Sequence, residues 1–345
     1  MINGAQCTII WHVDDLKISH RDKKVVHKIL KYLENIYGEL SVTTGTEHTY
    51  VGMDIRYPGD QTVRFTMKSY LKEAIESFPE PITEEVTSPA AKHLFEVNES
   101  CKKLPESKRQ ILHHIVSKLL FVTSRARPDI HLPIAFLTSR VMFADEDDWK
   151  KLRRLLEYIN STMDLELTIG GNNLSICKWW VDAAYAIRDD GKSQTGATMT
   201  FGRGTIQSKS TKQKPNVKSS TEAELVGASD TSSQILWTNY FLKDQGYAAD
   251  QAILFQDNKS TILLAKNGRF SSGKNTKHIN IRYFFIKDRI HKNEIAIEHC
   301  PKEDMLADFF TKPLQGSDFT RFRDMILGIS PFDFKSIQIL NIGAC

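Results

Sequence analysis

Apolar residues in the first 171 positions follow two different periods, which predict strands in some segments and helices in others. Residues 7–19 alternate around Asp14 and Asp15, and this predicts a β-hairpin with two carboxylates at its turn. A basic amphipathic helix follows, and Pro58-Gly59-Asp60 predicts a turn between strands at 50–55 and 63–66. Further helices are predicted at 69–78, 113–125, 133–143 and 145–159. The stretch 82–107 has no periodicity, which indicates a linker or an extended crossing segment.

After residue 171 the pattern changes to short strands separated by glycine and polar turns. Strands are predicted at 176–185, 195–201, 205–210, 252–256 and 294–299, and helices at 220–243, after Asn258, at 277–291 and at 303–311. Three antiparallel strands, then a helix, a strand and further helices predict a mixed α/β fold, with helices on the faces of a mixed sheet. Residues 312–345 are interpreted as a tail with a final helix.

Composition places the chain among ordinary globular proteins. Its 345 residues leave room for two or three domains, and 41% of them are hydrophobic and 26% charged. We expect no signal peptide, and no apolar run approaches the ~20 residues of a membrane span. The five cysteines are scattered without a CxxC pair, which argues against a structural zinc site or a disulfide framework and indicates a reducing compartment.

Positive charge is concentrated in two stretches that contain no acidic residue, and the net charge is +4. One lies between residues 204 and 221, the other between 258 and 278. Such stretches beside carboxylates are typical of an enzyme that binds a polyanion, although solvated loops that are basic by chance are an equally good interpretation. The candidate nucleic-acid-binding residues are Lys209, Lys212, Lys218, Lys274 and Lys277.

Four carboxylates each stand at the edge of an apolar strand or helix: Asp182, Glu224, Asp257 and Asp308. Their gaps of 42 (224 − 182), 33 (257 − 224) and 51 (308 − 257) residues mean that only folding could bring them together. Hydrolysis of a phosphodiester by two divalent metals ~3.5–4 Å apart requires a converging carboxylate cluster. Taken singly, each acid is more often solvated or a helix cap.

The sequence motifs around these acids, in their order along the chain, resemble the carboxy-terminal part of the polyprotein of copia-type LTR retrotransposons. His12-Val13-Asp14-Asp15 matches the family's Tyr-Val-Asp-Asp box, and Ala223-Glu224-Leu225 its Ala-Glu-Tyr pattern. The matching motifs lie at residues 12–15, 50–55, 127–130, 148–152, 219–225, 277–282 and 307–314.

The resemblance implies a ribonuclease H-like five-stranded mixed sheet with flanking helices, preceded by part of a reverse transcriptase. The implied division is a partial palm/thumb with linker at 1–107, a helical connection at 108–171, a ribonuclease H domain at 172–315 and a tail at 316–345. The implied partner is an RNA–DNA hybrid rather than a membrane, and the oligomeric state stays open. An intracellular location is implied, in a cytoplasmic virus-like particle and in the nucleus.

The resemblance also assigns site residues. Asp182, Glu224, Asp257 and Asp308 are the implied catalytic ligands of two Mg²⁺ or Mn²⁺ ions, and Glu222 is the competitor of Glu224. His299, 9 residues before Asp308 (308 − 299), is a candidate for assisting product release, although a strand-end histidine without a role is at least as good an interpretation. His278 is interpreted as structural or close to the substrate.

Asp14 and Asp15 are interpreted as the remnant of a polymerase site. The family's site also needs an aspartate from an earlier palm strand, and none of the 13 residues before Asp14 is acidic. We therefore expect no DNA synthesis by this polypeptide. Two alternatives stay open: a catalytically silent or domesticated remnant that binds nucleic acid or nothing, and a full RNA-directed DNA polymerase if the reading frame continues upstream.

Overall fold

The computed structural model describes residues 1–171, 174–249, 251–267 and 277–332. Its strands are β1 (Cys7–His12), β2 (Asp15–His20), β3 (Glu47–Tyr50), β4 (Met53–Arg56), β5 (Thr62–Thr66), β6 (Leu167–Gly171), β7 (Lys178–Ala184), β8 (Gln194–Thr200), β9 (Gly202–Arg203), β10 (Gln207–Lys212), β11 (Ala252–Gln256) and β12 (Ile295–His299). Its α-helices are α1 (Lys23–Tyr37), α2 (Lys68–Glu76), α3 (Glu106–Thr123), α4 (His131–Arg140), α5 (Glu146–Ser161), α6 (Ser220–Asp244), α7 (Lys259–Asn267), α8 (Lys277–His291) and α9 (Gly316–Ile326). None of the helices in these ranges combines the length and apolar character needed to cross a membrane.

A mixed sheet of five strands is formed by the second half of the chain in the order β10-β8-β7-β11-β12. Strand β8 is antiparallel to both of its neighbours, whereas β11 is parallel to β7 and to β12. The carboxyl ends of β7, β11 and β12 therefore lie at the same edge of the sheet. The prediction of a ribonuclease H-like mixed sheet with flanking helices is confirmed.

The two faces of the central strand β7 pack against different partners. Trp179 and Val181 belong to the apolar core formed with α6, whereas Trp180 packs with the residues around Phe310. Because strand side chains alternate, Asp182 lies on the same face as Trp180. The alternation places an acid at the end of an otherwise apolar strand, beside the chain segment that follows β12.

A second five-stranded sheet has the order β3-β4-β5-β6-β9 and is antiparallel throughout. The single strand predicted at 50–55 is wrong, because Val51 and Gly52 form a turn between β3 and β4. Both have positive φ angles, 50° for Val51 and 74° for Gly52, as two-residue hairpin turns require. Valine seldom adopts this conformation, so the turn could not be predicted from the residue types. Strands β6 and β9 were not predicted.

Helices α3, α4 and α5 pack into an apolar core with the irregular segment that precedes them. Asp145 caps the start of α5, because its side chain accepts hydrogen bonds from the backbone N–H groups of Asp147 and Asp148. The crossing segment contributes Leu94 and Phe95 to this core, so it is an ordered, packed part of the fold. The predicted final helix is also present as α9.

The amino-terminal hairpin of β1 and β2 confirms the predicted hairpin with carboxylates at its turn. Its two strands form a sheet of their own, and no other strand in the described ranges pairs with them. Ile9, Ile10 and Trp11 are exposed, Trp11 at 76%. The Gln6 side chain anchors the hairpin to the region beyond α6 through Gln245 (2.8 Å) and Tyr247 (2.6 Å).

Three distant parts of the chain meet at Thr168 in β6. Its backbone N–H donates to the carbonyl of Leu327 (2.8 Å). Gly204 and Gly328 lie so close that a Cβ atom on either would come within 2.1 and 2.0 Å of the Thr168 carbonyl oxygen. Strand pairing and hydrogen bonds thus cross each predicted boundary, and the division into four segments stays a prediction.

Candidate metal centre

Three of the predicted carboxylates converge at the carboxyl edge of the mixed sheet. Asp182 of β7, Glu224 of α6 and Asp257, directly after β11, each offer an oxygen, and these oxygens lie within 4.8 Å of one another. Asp182 and Glu224 are buried and Asp257 is half-buried. Folding therefore brings together residues that lie 75 positions apart (257 − 182). We call these three residues and Asp308 the carboxylate cluster.

Small residues allow α6 to approach the sheet closely enough for Glu224 to reach Asp182. Gly227 lies one turn after Glu224, and a Cβ atom there would already be 3.4 Å from Val181 and from Thr195. This is an ordinary van der Waals contact, so an alanine would fit, whereas a larger side chain would push the helix outward. A small residue at this position therefore keeps α6 close to β7 beside Glu224.

Glu222, the competitor of Glu224, takes part in the start of α6. Its backbone N–H donates to the side chain of the helix cap Ser219 (3.2 Å), and its own carboxylate accepts from the backbone N–H of Lys218 (2.7 Å). A capping interaction of this kind holds the glutamate outside the cluster. Glu224 is the glutamate that lies with Asp182 and Asp257.

Asp308 lies on a short 3₁₀ segment, Leu306–Phe310, so the α-helix predicted at 303–311 is wrong. This segment crosses β8 at Gly196, the strand partner of Asp182. A Cβ atom on Gly196 would lie 2.7 Å from the Ala307 carbonyl oxygen and 2.7 Å from the Thr311 Cγ2. The missing side chain therefore lets the segment lie directly on the sheet beside Asp182.

Two residues that the sequence did not single out connect Asp308 to Asp182. The Thr311 hydroxyl donates to Oδ2 of Asp182. The Lys312 Nζ donates to Oδ1 of Asp308 (2.7 Å) and lies 3.8 Å from Oδ2 of Asp182. Two features of the sequence could have predicted this contact: Asp308 and Lys312 are four residues apart, and both belong to the family motif at 307–314.

Gln256 is a further site residue that was missed. Its buried side chain donates to Oε2 of Glu224 (3.2 Å) and accepts from the backbone N–H groups of Asp257 (2.9 Å) and Asn258 (3.2 Å). It therefore fixes Glu224 relative to the end of β11. A glutamine that ends an apolar strand was the available signal, since buried polar groups need partners.

Burial and mutual repulsion hold the cluster in an unfavourable electrostatic state. Burial, together with Asp182 and Asp257, raises the pKa of Glu224 well above its usual range, and burial and Asp182 also raise the pKa of Asp257. The pKa of Asp308 rises to about 7 through burial and Asp182, although Lys312 opposes the rise. Burial would lower the pKa of Lys312, but Asp182 and Asp308 raise it. Oxygen ligands that repel one another when ionised suit a multivalent cation.

His299 lies at the same edge of the sheet as the cluster. It is the last residue of β12, is paired in register with Gln256 and is exposed. Its position is compatible with solvent access, and its role in product release stays a prediction.

The predicted basic residues are spread over several surfaces. Lys209 lines a cleft with Asp230 and Gln234 on the α6 side of the sheet, and Lys212 forms an ion pair with Asp190 (2.5 Å). Lys218 is exposed just before α6. Lys274 lies outside the described residues, and the side chain of Lys277, the first residue of α8, is likewise not described. Neither Lys209 nor Lys212 is brought to the cluster by a described contact.

Asp14 and Asp15 lie at the exposed tip of the hairpin. Within the described ranges, no third acidic, histidine or cysteine ligand forms a group with them. The structure thus separates the two acidic motifs of the chain by their surroundings.

The chain is similar to polyproteins of transposons, although no protein-family model matches it. It is 26% identical, over 92% of its length, to the retrovirus-related Pol polyprotein from transposon TNT 1-94 of Nicotiana tabacum. It is 29% identical, also over 92%, to that from transposon RE1 of Arabidopsis thaliana. The matches cover 24% and 21% of these relatives, so the chain spans about a quarter of their length or less.

A solved structure of similar fold is that of the foamy viral protease-reverse transcriptase in complex with RNA/DNA hybrid. It matches 92% of this chain and 38% of its own, with a TM-score of 0.53 and 13% identity. The same viral protein in complex with dsDNA matches 85% of this chain with a TM-score of 0.50. The chain thus shares the fold of the matching part of this viral protein and, by sequence, is similar to the Pol polyproteins of copia-type retrotransposons.

Proposed function

We propose that the chain is a ribonuclease H that hydrolyses the RNA strand of RNA–DNA hybrids. The observation that carries this proposal is the buried convergence of Asp182, Glu224 and Asp257 at the carboxyl edge of the mixed sheet, with Asp308 beside Asp182. The fold and the transposon relatives support it. Each acid is carried by a different element. Asp182 lies on β7 and Asp257 directly follows β11, whereas α6 and the 3₁₀ segment bring Glu224 and Asp308 to the site from the two faces of the sheet.

The carboxylate cluster fits two Mg²⁺ or Mn²⁺ ions, which its four acids would hold. Bound there, the ions would supply an activated water and stabilise the leaving oxygen of the RNA backbone. The protein's own part is to hold the acids in place. Gln256 orients Glu224, and the Thr311 hydroxyl orients Asp182.

Hybrid recognition would come from contacts to both phosphate backbones and to the 2′-hydroxyl groups of the RNA strand. Lys218 is a candidate because it is exposed and stands six residues before Glu224 (224 − 218). Lys209 and Lys212 would add charge along the edge strand β10. Such contacts predict binding that weakens as salt increases and that depends little on sequence.

The test is cleavage of a hybrid with a labelled RNA strand in Mg²⁺, with single-stranded and double-stranded RNA of the same sequence as competing substrates. The wild-type chain should cleave the hybrid, and Asp257→Asn should not. Asp244→Asn is the matched control, because Asp244 is exposed at the far end of α6, about 30 Å of helix from Glu224. Equal cleavage by the wild type and Asp257→Asn would contradict the proposal. Salt-dependent hybrid binding without cleavage would favour a non-enzymatic remnant.

A further inference from the structure

A lysine ammonium group lies between two acids of the carboxylate cluster. Lys312 Nζ is 2.7 Å from Asp308 and 3.8 Å from Asp182. The backbone of Lys312 is fixed, because its N–H also donates to the carbonyl of Asp308 (2.9 Å), closing a turn between the two residues. Pro313 follows at once and restricts the backbone of Lys312 further. The point from which the ammonium group reaches the two acids is therefore set by the fold.

The ammonium group lies beside the carboxylates of two acids that would hold a divalent ion. Two cations cannot lie beside these carboxylates without strong repulsion, because like charges at such distances interact strongly in a partly buried site. The Lys312 side chain is 40% exposed, whereas that of Asp182 is 3% exposed. The lysine can therefore turn toward solvent while the aspartate stays in place.

We propose that Lys312 is an internal counter-ion of the metal-free protein, which neutralises Asp182 and Asp308 and is displaced when a divalent cation binds. This inference rests on the proposed function, because it concerns the same site. It makes Lys312 a positioning residue that sets metal affinity. A merely structural ion pair would have a different consequence: its loss would disorder the cluster and weaken metal binding.

Removal of the charge should therefore have two opposite effects. Without metal, Lys312→Met leaves the buried acids unneutralised, so the melting temperature in chelator should fall. With metal, no ammonium group has to be displaced, so the ion should bind more tightly. We expect the Kd for Mn²⁺ to fall by about tenfold or more. The rise in melting temperature caused by the metal should be larger than in the wild type.

The experiment is calorimetric titration of the full chain with Mn²⁺, without nucleic acid, together with thermal melts in chelator and in Mn²⁺. Lys312→Arg keeps the charge and should retain a Kd close to that of the wild type. Lys302→Met is the matched control: Lys302 is exposed and acts on Asp257 through its charge, with no described ion pair to the cluster. It should change the Kd by less than about twofold.

The outcomes separate the inference from the proposed function. Unchanged or weaker Mn²⁺ binding by Lys312→Met, with normal binding by the wild type, overturns the counter-ion role alone. No Mn²⁺ binding by the wild type overturns the metal site and the counter-ion role together. If Lys312→Met does not fold, Lys312→Gln keeps a hydrogen-bonding group of similar length and decides by the same measurement.

Discussion

The two acidic motifs of this chain differ in what surrounds them. Asp14 and Asp15 are neighbours in sequence and lie at the tip of an exposed hairpin. Asp182, Glu224 and Asp257 are far apart in sequence and meet in a buried cluster. Adjacent acids at a turn can both point into water, whereas acids brought together by a sheet and a helix cannot. Cation binding is therefore expected from the second arrangement, and the hairpin pair is expected to stay inert in this polypeptide.

The difference between the two acidic motifs is tested most directly by neutralising one acid in each. Asp182→Asn removes the acid that contacts Thr311 and lies beside Lys312, so hybrid cleavage should fall by at least about 100-fold. Asp14→Asn should leave cleavage unchanged. Initial rates of RNA cleavage in Mg²⁺ measure both variants. A similar loss in both would mean that the two motifs form one functional site.

The next effect concerns the close approach of the 3₁₀ segment to the sheet. In Gly196→Ala, the new Cβ atom would clash with the Ala307 carbonyl and with Phe310 (2.9 Å to Cβ), displacing Asp308. We expect a loss of about 1–3 kcal/mol in the free energy of unfolding, with weaker cleavage. Gly170→Ala in the other five-stranded sheet is the control, because its Cβ would meet an atom no closer than 3.4 Å. Urea denaturation measures both, and equal stabilities would contradict the packing argument.

A third effect is the pH dependence of stabilisation by metal. Folding raises the pKa of Asp308 from 3.8 to about 7, so its folded carboxyl holds a proton more tightly than the unfolded one. In chelator this contribution to stability is present below pH 3.8 and is lost as the pH rises toward about 7. A metal binds the ionised form and reverses the loss. The difference in melting temperature between Mg²⁺ and chelator should therefore widen over this range.

Comparing the melting temperatures in Mg²⁺ and in chelator also removes a contribution to stability that has the opposite pH dependence. Burial lowers the pKa of His131 from 6.5 to about 4, so this histidine favours the folded state increasingly as the pH rises between these values. It does so with or without metal, and its effect cancels. Asp308→Asn should make the difference flatter. A difference that stays constant from pH 4 to pH 7 in the wild type would contradict the assignment of raised pKa values to the cluster.

The smallest effect should come from the hairpin. Trp11 is 76% exposed, so Trp11→Ala should change the free energy of unfolding by no more than about 0.5 kcal/mol. Cleavage should also be unchanged. Chemical denaturation and the hybrid assay check this expectation, and a large loss of stability would show that the hairpin contributes to the fold beyond its contacts through Gln6.

Local sequence patterns predicted most elements of the fold, and their failures have physical reasons. β11 and the start of α6 were predicted closely, because an apolar strand run and a Ser-Ser-Thr cap are local signals. The turn at Val51-Gly52 escaped because valine rarely adopts a positive φ. β6 was missed because it ends in glycines, which are typical of loops, although its pairing with β5 and β9 makes it a strand.

For the site, the sequence predicted the acids but not the residues that hold them. Carboxylates at the ends of apolar strands are easy to recognise in a sequence, and the motifs around them occur in the same order as in the family. The contacts of Gln256, Thr311 and Lys312 depend on how β11 and the 3₁₀ segment lie against α6 and β7. Such tertiary contacts leave no local pattern, so only the folded chain reveals them.

The meeting point at Thr168 has a consequence for the order of events during synthesis. The β6 backbone at Thr168 is completed by the carbonyl of Leu327, which leaves the ribosome 159 residues later (327 − 168). Until then the Thr168 N–H lacks its acceptor within the protein, although the partner strands β5 and β9 have already been synthesised. Contacts between such distant residues form slowly. A nascent chain should therefore gain protease resistance at Thr168 late, once the segment that follows α9 has emerged.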